Sequence, residues 1–268
     1  MHYDPIKDTV GNFFNRAPFL RKLFYRLLDL LLLRSWHIHK EFKAWAKDHP
    51  KAHILDAGSG FGQYTFYMSN FNPAYQILSV DVKDDYMADC NSFFKQIGRT
   101  NAFFKVEDLT KFKQDSAFDF ILCVDVMEHI LEDVDVFRNF HADLKSGGMV
   151  LISTPSDKGG SDVDHNDGES FIGEHVRDGY NIDEIKQKLQ TAGFNKIDAR
   201  YSYGTPGKIA WRFSMKYPIQ MLNASKAFFV LIPFYYILVY PFCYILNWMD
   251  TNGNHAEGTG LIVKAWKD

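Results

Sequence analysis

An α/β fold built on a doubly wound, mostly parallel sheet is what this sequence predicts, and three observations predict it. Short apolar runs alternate with helix-like segments from 50 to 153, the pattern of parallel strands joined by crossover helices. The first run ends in an acid and a glycine-rich turn, Asp56-Ala57-Gly58-Ser59-Gly60-Phe61-Gly62. The second run ends in another acid, Asp81, 25 residues after the first.

The elements follow in order. Residues 17–47 read as one Leu-rich helix, free of Gly and Pro after Pro18. Its segment 19–34 mixes Arg21, Lys22, Arg26 and Arg34 with bulky apolar residues, a composition suited to anionic lipid. Strands are expected at 53–56, 76–81, 102–106, 118–124 and 149–153. A helix over 133–145 is expected to stop at Gly147-Gly148. Residues 154–180 form a polar loop rich in Gly, Asp and His, and loops this long are usually functional or disordered. Asn181 caps the next helix, with Glu184 at the reciprocal capping position, and that helix ends near Ala192-Gly193. A sixth strand is expected at 194–201 and a seventh at 260–266.

Between these last two strands, residues 227–246 run for twenty positions without a charge. As a helix that length could span a bilayer. Pro233 and Pro241 are expected to break or kink it. Tyr235, Tyr236, Tyr240 and Tyr244 suit a headgroup boundary.

The glycine turn carries the chemistry. Glycines at every second position let a backbone approach a ligand closely or turn where a side chain could not. The spacing is G-x-G-x-G, not the G-x-G-x-x-G of dinucleotide sites, which argues for a smaller nucleoside-bearing ligand than one with a pyrophosphate. A carboxylate at the tip of the second strand, Asp81, is placed to accept hydrogen bonds from ribose hydroxyls.

With these motifs the chain resembles the class I S-adenosylmethionine-dependent methyltransferases, over about residues 50–203 plus the last strand. Asp56 to Gly62 match that family's first motif and Asp81 its ribose-binding acid. Glu107-Asp108-Leu109 match the acid that meets the adenine amino group. Phe118 to Asp125 match the fourth strand, and Ser146-Gly147-Gly148 the turn into the fifth. The resemblance implies a Rossmann-like, seven-stranded sheet with an antiparallel last strand. It also implies S-adenosyl-L-methionine as cofactor, held by Asp56, Gly58, Ser59, Gly60, Gly62, Asp81, Val82, Asp108, Leu109 and Asp125. The sixth and seventh strands would then be neighbours, so a single membrane crossing between them is excluded. A folded-back helical hairpin within the apolar segment is expected instead.

Asp125-Val126-Met127-Glu128-His129 is similar to the Glu-x-x-Glu-His of ubiquinone-biosynthesis O-methyltransferases, with Asp in place of the first Glu. That likeness suggests Asp125, Glu128 and His129 as ligands for Mg2+, since oxygen donors suit it. The competing reading makes His129 a general base or a pocket wall. His165 and His175, in the polar loop where substrate-facing residues of the family tend to fall, are further catalytic candidates.

The expected organisation is an N-terminal helical cap (1–48), a cofactor-binding core (49–203), a hydrophobic helical insertion (204–250) and a final strand completing the core (251–268). The net charge of −3 gives no reason to expect a nucleic-acid partner. Cys90, Cys123 and Cys243 lack metal or disulfide spacing, which points to a reducing cytoplasm. Met1-His2-Tyr3-Asp4-Pro5 lacks the layout of a signal peptide. Three functions stay open. One is methyl transfer to an O or N of an amphiphilic or aromatic acceptor at the inner membrane face. Another is a soluble small-molecule methyltransferase whose insertion is a lid or a homodimer interface. The last is a non-catalytic cofactor-binding protein.

Overall fold

A computed structural model of the chain describes residues 17–159, 176–225 and 227–268. Its centre is a seven-stranded sheet in the order β3-β2-β1-β4-β5-β7-β6. The strands are β1 (His53–Ala57), β2 (Gln76–Asp81), β3 (Ala102–Val106), β4 (Phe118–Val124), β5 (Leu144–Pro155), β6 (Lys196–Ser202) and β7 (Gly260–Trp266). β1 to β5 pair in parallel, and β7 lies antiparallel between β5 and β6. The strand order turns back between β1 and β4, so the chain diverges above their C-terminal ends. In a doubly wound sheet that divergence opens a ligand crevice.

Side chains alternate across the sheet and build a core on each face. On one face Ile54, Phe120, Leu122 and Leu151 meet Ile38, Phe42, Met68 and Phe94. On the other, Leu55, Ile121, Val150 and Ile152 meet Phe137, Phe140, Ile185 and Leu189. The helices α3 (Gln63–Phe71) and α4 (Asp84–Gln96) belong to the first layer, and α5 (Asp133–Asp143) and α6 (Ile182–Thr191) to the second. Asn181 caps α6 as expected, its side chain accepting from the Asp183 N–H at 2.9 Å. α5 ends at Asp143, two residues earlier than expected, because Leu144 already pairs with Phe118 as the start of β5.

The N-terminal segment is two helices and not one: α1 (Pro18–Leu31) and α2 (Leu33–Ala46). Leu32 between them is extended, at φ −85° and ψ 111°. No Gly or Pro marks the break; tertiary partners make it. A continuous helix would bond the Arg34 N–H to the Leu30 carbonyl. Here Arg34 N donates to the Tyr203 hydroxyl at 3.1 Å, and the Leu30 carbonyl accepts from Trp36 Nε1 at 3.0 Å and the Tyr240 hydroxyl at 2.5 Å. Arg21, expected to face lipid, is buried: its guanidinium bonds Asp89 at 2.5 Å, the Phe61 carbonyl at 2.9 Å and the Tyr25 hydroxyl at 2.7 Å. α1 is thereby fastened across the glycine turn.

The insertion before the last strand is helical, but its turn lies elsewhere than expected. The chain leaves β6 through α7 (Thr205–Trp211), a π-helical turn (Arg212–Lys216) and α8 (Tyr217–Ala224), and it returns as α9 (Phe228–Asn252). Residues 228–246 therefore form part of one arm of a hairpin, with α8 as part of the other. Pro233 and Pro241 sit inside α9 without ending it. Tyr235 and Tyr236 donate to the Phe213 and Ser214 carbonyls of the π turn at 2.7 and 2.6 Å. These two hydroxyls clip the arms of the hairpin together, while that of Tyr240 ties α9 to the Leu30 carbonyl of α1. Pairing of Ser202 with Gly260 closes the root of the hairpin.

Candidate active site

The glycine turn sits at the C-terminal edge of β1 and leads into α3. Gly58, Gly60 and Gly62 take φ of +79°, +51° and +82°, the left-handed region that only glycine enters cheaply. At Gly58 space forbids a side chain as well, since a Cβ there would lie 2.2 Å from Val126 Cγ2. The N–H groups of Gly58 and Ser59 donate to the Val80 carbonyl at 2.8 and 3.0 Å, and that of Gly60 to Asp81 Oδ2 at 2.9 Å. The turn is thus tied to the tip of β2. The second Asp81 oxygen accepts from Lys83 N at 3.1 Å, and Val82 is exposed beside it. Ser59 Oγ is buried with no hydrogen-bond partner among the described residues.

Asp56 takes a different place from its neighbours. It is 2% exposed, and its Oδ2 accepts from Thr65 Oγ1 at 2.6 Å, while Thr65 also contacts Ser79 Oγ at 2.7 Å. Burial pushes its pKa up to about 7. It braces the start of α3 from behind the turn. Asp108 is half-buried; its Oδ1 accepts from Thr110 N and Oγ1 at 3.0 and 2.7 Å, and these hydrogen bonds hold it below the usual carboxylate range. The Leu109 side chain packs into the core.

Asp125 follows β4 in the left-handed region, at φ +50°, with its N–H on the Ser153 carbonyl at 2.8 Å. A carboxylate oxygen pairs with Arg34 Nη1. The Asp125 charge in turn raises the Arg34 pKa above its ordinary value. The proposed metal set does not assemble. Among the described residues no three His, Cys, Asp or Glu side chains gather as ligands. Asp125 is engaged by Arg34. Glu128 is turned inward onto Thr154 Oγ1 at 3.1 Å and is pushed up to about 8, first by burial and then by Asp125. His129 is exposed on a short 3-10 turn (Met127–His129). A donor set divided between an ion pair, an inward-turned carboxylate and an exposed imidazole does not fit Mg2+. His165 and His175 lie outside the described residues.

Sequence reasoning missed Tyr203, Asn247 and Asp250, which come together with Arg34 and His37 at the hairpin root. A cavity of 280 Å3 opens there between the Leu31–Arg34 break, Tyr203, Trp211 and Met215, and Asn247. Tyr203, itself at φ +55°, is held up to about 12 by burial, so its hydroxyl keeps its proton. Beneath the cavity Asp250 accepts from Tyr203 N at 3.1 Å and Gly207 N at 3.0 Å, and meets His37 Nε2 at 2.9 Å. Arg200 Nη2 lies 3.1 Å from His37 Nδ1. Arginine only donates, so Nδ1 accepts and Nε2–H donates to Asp250: His37 is neutral, in keeping with a pKa lowered by burial. An acid and a histidine inside otherwise apolar or basic helices were the one signal available for this cluster.

A family model described as a methyltransferase domain matches residues 19–199. The chain is 32% identical over 162 residues to the phosphoethanolamine N-methyltransferase of Triticum aestivum, covering 60% of this chain and 31% of that one. It is 22% identical over 117 residues to the ubiquinone biosynthesis O-methyltransferase of Rickettsia conorii, covering 44% of this chain and 39% of that one. Phosphoethanolamine N-methyltransferase 2 of Haemonchus contortus, solved in complex with S-adenosyl-L-methionine, superposes with a TM-score of 0.58 at 16% identity, covering 81% of this chain and 49% of that one. The chain therefore spans about a third of the length of the wheat relative.

Proposed function

The chain belongs to the methyltransferase-domain family, and from that premise we propose that it transfers a methyl group from S-adenosylmethionine to an O or N of an amphiphilic or aromatic acceptor at a membrane surface. One observation carries the cofactor half of this reading. Three left-handed glycines and the Asp81 carboxylate share one sheet edge, joined by the Gly60 N–H on Asp81. Residues present there suit a nucleoside: a side-chain-free turn, an acceptor at the strand tip, and a buried Ser59 hydroxyl with capacity to spare. In this reading Gly58, Ser59, Gly60 and Gly62 cradle the cofactor, Asp81 takes the ribose, and Val82, Asp108 and Leu109 border the adenine. Asp125 borders the methionine end, and Asp56 keeps the turn in shape. When bound, S-adenosylmethionine supplies a methyl group on a sulfonium, which is already an excellent leaving group.

The remaining work is positioning and exclusion of water. α1, bonded through Arg21 and Tyr25 to the Phe61 carbonyl, covers the turn. Arg34 fixes Asp125. His129, at the exposed rim beyond Asp125, is the candidate to take a proton from a hydroxyl or ammonium acceptor. In the same reading residues 1–48 form the cap, 49–203 with 251–268 the core, and 204–250 the membrane-contacting insertion.

The membrane half is supported by the hairpin. Residues 217–246 contain a single charge, Lys226. α9 is long and apolar enough to cross a bilayer, yet almost none of its most apolar stretch is buried in the protein. Phe234 and Leu238, one turn apart, are 64% and 79% exposed. An apolar face this large calls for a partner, and a hairpin that returns to its own root can dip into one leaflet without crossing. Flotation of the protein with vesicles containing phosphatidylglycerol tests this. Wild type is expected to float, and the Phe234→Glu/Leu238→Glu variant to stay at the bottom with its cofactor affinity intact. Wild type that remains in the soluble fraction as a dimer, with the variant monomeric, would assign the face to subunit contact instead.

A further inference from the structure

The residues around the cavity at the hairpin root include two buried hydrogen-bond donors that nothing among the described residues satisfies. Asn247 is 1% exposed, and its Nδ2 has no partner among the described residues. Arg34 Nε is likewise closed off and unpartnered, although Nη1 of the same group is bound to Asp125. Both residues line the cavity. A buried donor left unpaired costs about 1–3 kcal/mol, so two of them on residues that line one space favour an occupant that accepts there. Just below, Asp250 is engaged by His37, Tyr203 N and Gly207 N. The remaining walls, Leu31, Leu32, Trp211 and Met215, are largely hydrocarbon.

We propose that this cavity seats the oxygen-bearing headgroup of the amphiphilic acceptor, with Asn247 Nδ2 and Arg34 Nε donating to its oxygens and its hydrocarbon chain running out along the hairpin. Both donors accept nothing in return, which selects phosphate, carboxylate, carbonyl or hydroxyl oxygen over a bare ammonium. At 280 Å3 the space lies just under the roughly 300–1,000 Å3 of sites that enclose a drug-sized ligand. It fits a headgroup and the first few carbons, so a longer chain must leave it. Arg34 joins this seat to Asp125 and hence to the glycine turn, which puts the headgroup one side chain away from the cofactor edge. The inference rests on the methyl-transfer reading only for the acceptor's amphiphilic character.

Calorimetric titration below the micelle concentration tests it, with dodecyl phosphate, inorganic phosphate and dodecyltrimethylammonium as probes and S-adenosylmethionine titrated in parallel. Dodecyl phosphate is expected to bind wild type at least tenfold more tightly than either other probe. Asn247→Leu is expected to weaken it about tenfold while leaving cofactor affinity unchanged. Met215→Trp, which fills the cavity while keeping both donor residues, should abolish dodecyl phosphate binding and serves if Asn247→Leu does not fold. Equal binding of dodecyltrimethylammonium, or unchanged dodecyl phosphate binding in both variants, overturns the donor seat. Inorganic phosphate binding as tightly as dodecyl phosphate overturns the amphiphilic occupant. Failure of the cofactor to bind wild type, with the probe pattern intact, would instead strike at the methyl-transfer reading alone.

Discussion

Gly58→Ala tests the geometry of the glycine turn at its tightest point. The new Cβ would lie 2.2 Å from Val126 Cγ2, and the alanine would have to hold φ at +79°. The left-handed backbone costs about 1–2 kcal/mol. Overpacking against a branched side chain costs about 1–3 kcal/mol more. For a chain of this size each kcal/mol lowers the melting temperature by about 2–4 °C, so a fall of roughly 5–15 °C is expected. Val126 directly follows Asp125, so pushing it outward moves the crevice floor, and cofactor affinity should fall about tenfold or more. Val126→Ala in the Gly58→Ala background removes the overlapping methyl and should recover the packing share of the loss, leaving the backbone share. Thermal unfolding and calorimetric titration of S-adenosylmethionine read both effects. A Gly58→Ala protein with wild-type melting and wild-type affinity refutes the reasoning, and so does a double variant that recovers nothing.

Asp81→Ala removes the acceptor of two backbone N–H groups as well as the proposed ribose contact. Hydrogen bonds to a charged group are worth about 1.5–3 kcal/mol, so cofactor affinity should drop about a hundredfold by titration, and a loss under threefold would contradict the assignment. Glu128 carries a folded-state pKa near 8, well above the ordinary carboxyl value, raised by burial and by Asp125. A raised pKa stabilises fully below the unfolded value and is lost as pH climbs through the folded one. Glu128→Gln should therefore melt like wild type at pH 4 and increasingly above it between pH 5 and 9; a gap that does not widen contradicts the burial argument. With Asp125 bound to Arg34 and Glu128 turned inward, chelator is expected to leave the methyl-transfer rate unchanged, and a rate restored only by added Mg2+ would reinstate the metal set.

Much of the framework was legible from the chain itself. The central strands are nearly continuous apolar runs because both faces are covered, and the turn residues after β1 and β2 follow from the backbone they must adopt. What escaped were features set by distant partners. The break at Leu32 has no local signal, since it exists to release Arg34 and is capped by Trp36, Tyr203 and Tyr240. Pro233 and Pro241 read as breakers, yet α9 continues through them, with tyrosines on neighbouring turns bonded across to the other arm. The Arg34–Asp125 pair joins residues 91 positions apart, a relation that spacing cannot reveal. Asn247 reads as one polar residue among many, and only its burial beside a cavity marks it.

The central claim, methyl transfer to an amphiphile, is tested most directly by incubating the protein with isotope-labelled S-adenosylmethionine, vesicles and a total lipid extract, then separating organic and aqueous phases. Label should enter the organic phase with wild type and remain absent with Asp81→Ala. Label confined to the aqueous phase, or incorporated equally by Asp81→Ala, would contradict the account.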